Sequence, residues 1–278
     1  LKRGGLYYDI VASPLKEATL ADLESYPFPN PLDPGRVAGV EEEARLLHEN
    51  TDYAVVGSAG GPTNIFELSW YLRGLDQFLM DLIVDKSFAH ALLRKVTDLQ
   101  IAKYGEFLKK TGKHLDMVRV GDDMGTQGQP FFSPALYREI IKPYHVAFFS
   151  FIKQHTDAAL MFHSCGSVYP LLPDLIEAGI DILNPTQVSA KDMEPGRLKQ
   201  EFGDRLTFSG AIDSQHVLPY GTPQEVENEV RQRVRQLAPG GGYMIASVHN
   251  IQPDVPPENV VAMFKAGRKY GRYPLTSA

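Results

Sequence analysis

The sequence predicts an α/β protein of the (β/α)8 TIM-barrel class. Three observations carry this. Short apolar, β-branched runs alternate with amphipathic helical stretches along most of the chain, those runs are apolar on both faces, and polar residues gather at their C-terminal ends. Strands apolar on both faces belong to a parallel sheet covered by helices, and regular alternation is what a βα repeat requires. With 278 residues, 43% hydrophobic and 22% charged, the chain has ordinary globular composition and enough length for one core of barrel size. It reads as a single domain over 1–278, with an N-terminal arm and helix over 1–50 and six βα units over 51–278.

The first segment, through Asn30 and Pro31 to Gly35, is rich in proline and turn residues and reads as an arm; Tyr7 and Tyr8 lie in it, where no local argument gives them a role. After Pro34, the residues Val37, Val40, Ala44, Leu46 and Leu47 recur at helical spacing among Glu41, Glu42 and Glu43, which predicts an amphipathic helix ending near Asn50. Tyr53–Gly57 is the first strand, and the small residues of Gly57–Gly61 lead into a helix from about Asn64. Further strands are predicted at Met117–Gly121, Ala158–Phe162, Asp181–Asn184, Leu206–Gly210 and Tyr243–Ser247. The intervening helices are Ser87–Lys110, Pro134–His155, Tyr169–Ala178, Pro195–Phe202, Pro223–Leu237 and Pro257–Tyr270. Ser133-Pro134 and Thr222-Pro223 each place a capping hydroxyl before a proline at the first helical position, and Glu225 completes a capping box with Thr222. Six strands fall short of the eight of a closed barrel. Either the sheet is open and doubly wound, or about two βα units lie upstream of Leu1; the start at leucine rather than methionine favours the second.

A net charge of −6, with no run of Lys or Arg interleaved with aromatics, argues against a nucleic-acid partner. No stretch approaches the ~20 apolar residues of a membrane span, and no signal-peptide pattern opens the chain, so the expected location is the cytoplasm. The only cysteine, Cys165, has no partner for an intrachain disulfide and needs a packing or a chemical reason.

Parallel barrels build active sites at the C-terminal ends of their strands. Here those ends carry Asp122-Asp123, His163-Ser164-Cys165, Thr186-Gln187, Asp213 and His249-Asn250, whereas the opposite face offers mostly Gly and Pro, as in Ala238–Gly242. His163 and Cys165 are two apart, so on an extended strand both point to one side. An imidazole and a thiolate suit zinc, which in catalytic sites keeps three protein ligands and an open position. His249 is the strongest candidate for the third ligand, with Asp122 and Asp123 as alternatives or as acceptors for an imidazole N–H. Local accounts stand beside these: a single buried cysteine is often packing, Asp122-Asp123 could cap the turn before Gly125, and Asp213 could cap the following segment. Gln187 could satisfy loop backbone, and Phe131-Phe132 could line a pocket or staple a helix. His145, His155 and His216 read as structural or solvated.

At these residues the sequence resembles the uroporphyrinogen decarboxylase family. The motifs are Gly121-Asp122-Asp123, His163-Ser164-Cys165-Gly166-Ser167, Phe208-Ser209-Gly210-Ala211-Ile212-Asp213, and His249-Asn250-Ile251-Gln252 through Pro256-Pro257-Glu258-Asn259. The resemblance implies a (β/α)8 barrel and, within the family, the branch that uses zinc to move methyl groups between corrinoid proteins and thiols or methylated substrates. True uroporphyrinogen decarboxylases lack a His-x-Cys zinc pair. His163 and Cys165 match the branch's first two ligands; its coenzyme M enzymes carry a cysteine where this chain has His249, which puts a coenzyme M acceptor in doubt. One thiolate with two neutral imidazoles leaves zinc a net positive charge and makes it the better Lewis acid. The resemblance therefore implies a zinc-dependent methyltransferase acting on an oxygen-linked methyl donor with a corrinoid (cobalamin) protein as partner. Asp122 and His249 would be catalytic, and Asp123, Gln187, Asp213 and Asn250 would contact substrate. Decarboxylation of a tetrapyrrole or other polycarboxylate, and a non-catalytic corrinoid-binding role, are the alternatives. The strand ends offer only Arg119 to grip carboxylates, which disfavours decarboxylation. Members of the family often dimerise, so the resemblance also implies a homodimer as a partner state.

Overall fold

The computed structural model describes residues 10–61 and 63–275, so Tyr7 and Tyr8 lie outside the described residues. The chain packs as two compact units, the first made of Leu1–Met124, Phe131–His163 and Pro170–Ile180. In it the arm carries a helix that periodicity does not reveal, α1 (Leu20–Ser25), because six residues burying only Leu23 make no repeat. The Thr19–Asp22 capping box starts it. The helix α2 (Val40–Asn50) follows, as its spacing predicts. The strand β1 shrinks to Val56–Gly57, since the N–H of Val55 donates to the Asp116 carboxylate (2.7 Å) instead of to a neighbouring strand.

The helix predicted from Asn64 begins at Phe66 and divides at Gly74 into α3 (Phe66–Arg73) and α4 (Leu75–Val84). Gly74 sits at φ +91°, a conformation that a side chain resists, and this is where the chain turns. Arg73, buried at that corner, pairs with Asp81 (2.6 Å) and donates to the Leu15 and Ala18 carbonyls, tying the arm to the unit. The long helix α5 (Lys86–Thr111) then leads to β2 (Met117–Gly121).

The single helix expected at Pro134–His155 is interrupted. After α6 (Pro134–Leu136), a π turn at Tyr137–Ile141 precedes α7 (Lys142–His155). Pro143 cannot donate to the carbonyl four residues back, and the Lys142 N–H reaches Tyr137, five back. The strand β3 (Ala159–His163) and helix α8 (Leu172–Ala178) complete the unit. Its strands run parallel in chain order, and the β2–β3 register sets Gly121 beside His163. Its core is aromatic: Phe66, Phe78, Tyr104, Phe148 and Phe162 are all buried, with Tyr104 and Phe148 edge to face at 5.0 Å.

The second unit comprises Gly125–Pro130, Ser164–Tyr169 and Asp181–Ala278. Its strands β4 (Ile182–Thr186), β5 (Thr207–Ile212) and β6 (Tyr243–Ser247) are also parallel in chain order, with α9 (Pro195–Phe202) between the first two. Between β5 and β6 lie α10 (Val217–Tyr220) and α11 (Pro223–Leu237), and α12 (Pro257–Tyr270) closes the unit. The Thr222–Glu225 capping box forms as predicted. One face of α11 buries Val226, Val230 and Val234 against Met263 and Ala266 of α12, the helical spacing made visible as packing. The β5–β6 register sets Ile212 beside Ser247, so Asp213 and Val248-His249 leave the strands at one level. β4 and β5 each run two residues further than predicted.

Candidate metal centre

The end of β2 is hydrogen-bonded to the segment that starts α3. Asn64 exchanges hydrogen bonds with Gly121: its N–H donates to the Gly121 carbonyl (3.0 Å) and its Oδ1 accepts from the Gly121 N–H (2.7 Å). Asp122, 1% exposed, then accepts from the N–H groups of Asn64 (3.3 Å), Ile65 (3.0 Å) and Glu67 (2.8 Å). A carboxylate there satisfies orphan donors and faces the positive end of the helix dipole. Its second oxygen meets His145 Nε2 at 2.9 Å, and His145 Nδ1 meets the Tyr137 hydroxyl at 2.9 Å. With the proton on Nε2, the ring donates to Asp122 and accepts from Tyr137, which satisfies all three buried groups. Asp122 therefore caps α3, not the turn before Gly125.

Asp123 faces elsewhere. Its side chain is 34% exposed, and Oδ1 lies 3.7 Å from His163 Nε2; Arg119 approaches the other ring nitrogen at 3.2 Å. The backbone N–H of Asp123 donates to Glu67 Oε2 (3.3 Å), and Glu67 Oε1 accepts from the Tyr71 hydroxyl (2.7 Å). Glu67 is 9% exposed, and its pKa is pushed up from 4.5 to about 7. Burial is the chief cause; the Asp123 and Asp122 carboxylates add to it, while the two hydrogen bonds oppose it.

The folded chain thus holds this proton more tightly than the unfolded one. The stabilisation is complete below pH 4.5 and is lost as pH rises through 7. At about 1.4 kcal/mol per pKa unit, wild type should lose on the order of 3 kcal/mol relative to Glu67→Gln between pH 4.5 and pH 7.5. Urea unfolding of both proteins across that range measures it; a constant difference would contradict the raised pKa.

Beyond β3, the loop carrying Cys165 is held by backbone. A Cβ on Gly166, whose φ is +89°, would lie 2.4 Å from the Gly125 carbonyl, so only glycine fits this crossing. The Ser167 N–H donates to Thr126 (2.8 Å), and the Gly166 N–H donates to the buried Gln187 Oε1 (2.6 Å). Cys165 is half-buried. His249, also half-buried, follows β6, where the Ser247 hydroxyl donates to its carbonyl (2.6 Å). His163, Cys165 and His249 each offer one ligand atom, and these atoms lie within 4.8 Å of one another. The donor chemistry, two imidazoles and a thiol, fits zinc.

The sequence model of the family described as "Uroporphyrinogen decarboxylase (URO-D)" matches residues 10–270. The chain belongs to the URO-D family. A methylated-thiol–coenzyme M methyltransferase from Methanosarcina mazei is 24% identical to it over 72% of this chain and 50% of that relative, so the chain spans half of that protein's length. A uroporphyrinogen decarboxylase from Alkalilimnicola ehrlichii is 25% identical over 88% of this chain and 65% of its own length; one from Pseudomonas fluorescens is 25% identical over 94% and 72%. The solved structure of a methyltransferase from Methanosarcina mazei matches with a TM-score of 0.69 at 21% identity, covering 94% of this chain and 72% of that one; the two share a fold. The URO-D fold seen here is α/β, with parallel strands in chain order and helices between them, as in part of a TIM-type barrel.

In this URO-D chain His163 ends β3, while Cys165 and His249 lie in the segments that follow β3 and β6. Gln187 spends its carbonyl on the Gly166 backbone. Asp213 accepts from the Gln215 and His216 N–H groups, the capping job a local reading allows, and Asn250 is exposed. Phe132 stacks on Tyr137 and meets Phe66 edge to face, a packing role. No local pattern in the sequence marks Glu67 or the contact of Arg119 with His163.

Proposed function

We propose that this URO-D chain carries the catalytic site of a zinc-dependent methyltransferase, moving a methyl group between a small oxygen-linked methyl donor and a corrinoid protein. The observation that carries this reading is the clustering of His163, Cys165 and His249. A methyltransferase among the relatives and the solved structures agrees with it. Zinc held there would supply a Lewis acid with one net positive charge, suited to polarising an ether oxygen. The remaining roles fall to the protein. Asp123 orients the His163 ring or meets substrate, Asn250 hydrogen-bonds the donor, and Gln187 and Gly166 hold the Cys165 loop in place. Asp122 sets the end of β2 against α3, which fixes where Asp123 stands. In this reading the six βα units are part of a (β/α)8 barrel whose strands deliver the site from their C-terminal ends.

Decarboxylation of a polycarboxylate is the competing reading, favoured by the uroporphyrinogen decarboxylases among the relatives. Against it, Arg119 is directed at His163, and a polycarboxylate calls for several such cations.

Metal analysis of the purified protein, with cob(I)alamin and methyl aryl ethers supplied as reactants, separates the two. About one zinc per chain and methylation of the corrinoid are expected. Metal-free protein that decarboxylates uroporphyrinogen would overturn the proposal.

A further inference from the structure

The buried acids of the first unit are compensated in different ways. Asp81 has Arg73, Asp174 has Arg138 and Lys142, and Asp122 has His145 with three backbone N–H groups. Glu67 differs: its described hydrogen bonds come from one tyrosine hydroxyl and one backbone N–H, and no cation forms an ion pair with it among the described residues. Two further carboxylates, Asp122 and Asp123, stand on the strand end it faces. An acid in that setting keeps its proton unless a developing negative charge takes it. Its neighbour Asp123 is the residue that also approaches His163.

We propose that Glu67 is the proton donor of this site: in demethylation of an ether, its carboxyl gives its proton to the oxygen that loses the methyl group. This rests on the methyltransferase reading. The carbon–oxygen bond breaks with its electron pair staying on oxygen. The methyl carbon forms its new bond with the electron pair of a reduced corrinoid, cob(I)alamin, as the co-reactant. The oxygen takes the proton from Glu67 and leaves as a neutral alcohol or phenol. No oxidant or further reductant enters. The resulting Glu67 carboxylate keeps the Tyr71 hydroxyl and the Asp123 N–H as donors, which hold it until solvent returns a proton.

The groups facing Glu67 are Tyr71 on its own helix and Asp122 and Asp123 from the end of β2. His145 of α7 lies one residue further away through Asp122, and His163 of β3 through Asp123.

A proton donor matters in proportion to how poor the leaving group is. Wild type and Glu67→Gln are therefore compared on two anisoles with cob(I)alamin as acceptor. One releases an electron-rich methoxyphenol and the other a nitrophenol that leaves as a stable anion. General acid catalysis contributes roughly 100-fold or more, so the variant should slow on the electron-rich ether by at least about that factor and on the nitro ether by less than about 3-fold. The nitro ether also reports that the variant is folded and loaded.

Infrared titration of the metal-free protein gives a readout independent of turnover: a protonated carboxyl band that persists to near-neutral pH in wild type and is missing from Glu67→Gln. Equal slowing on both ethers, slowing on neither, or a band lost near pH 4.5 overturns the proposal alone. Wild type that demethylates neither ether refutes the methyl-transfer reading, and the proposal with it.

Discussion

On the proposed zinc-dependent methyltransferase reading, replacing Cys165 with alanine is expected to leave a folded chain that holds less than a tenth of the wild-type zinc and transfers methyl groups at least about 1,000-fold more slowly. Residues that merely orient metal ligands are worth about 10–100-fold, and a ligand itself must be worth more. The expectation of a folded product comes from the loop. Gly166 packs on Gly125, its N–H is held by Gln187, and Ser167 bonds Thr126, so the two residues after Cys165 are anchored through their own backbone. The readout is twofold: metal content, and the gain in thermal stability on adding zinc, which a ligand that binds only the folded state must confer. Wild type should show that gain and Cys165→Ala should not. Retention of stoichiometric zinc by the variant would remove Cys165 from the site. His249→Cys is the complementary change. On the same reading it should keep the metal, make the centre nearly neutral, and shift the preferred substrate from the proposed ether towards a thiol.

The second large effect falls on stability. Asp122→Ala should destabilise the protein by about 3–5 kcal/mol in urea unfolding, because it strands buried donors that have no alternative partner. The N–H groups of Ile65 and Glu67 and the Nε2 of His145 all converge on this one carboxylate, which is 1% exposed. Asp122→Asn keeps one acceptor oxygen but turns an amide towards the remaining donors, so a loss of about half that size is expected. These numbers separate two roles. A capping residue loses stability and activity together. Asp122→Ala with wild-type stability and no activity would instead place Asp122 in the chemistry, as the family resemblance suggests.

The elements the sequence marked best are those whose signal is local. Pro195–Phe202, Pro223–Leu237 and Pro257–Tyr270 occur as predicted, since proline and capping residues specify a helix start without reference to the rest of the chain. The elements it misjudged depended on partners. Tyr53–Gly57 looks like a strand, but the Asp116 side chain takes the Val55 N–H and leaves two residues. Pro134–His155 has continuous helical spacing, yet the missing N–H of Pro143 forces a wider turn.

The same division runs through the site. His163 ends β3 and Cys165 lies in the loop just beyond it, so their two-residue spacing was visible in the sequence although the strand expected to carry both stops at His163; His249 was visible as a histidine just past another strand. Glu67 was not legible, since nothing in a run of apolar residues around one acid tells whether that acid faces solvent or two other carboxylates. Asp122 and Asp123 are adjacent and chemically identical in sequence. Only the register of β2 against β3 and the start of α3 decide that one is consumed by four donors while the other reaches towards His163. The residue types and strand ends by themselves determined which chemistry this protein could hold, because ligand preference belongs to the side chain. Which acid caps, which approaches the histidine and which keeps its proton was decided by tertiary structure, because burial and hydrogen-bond partners exist only once distant segments have met.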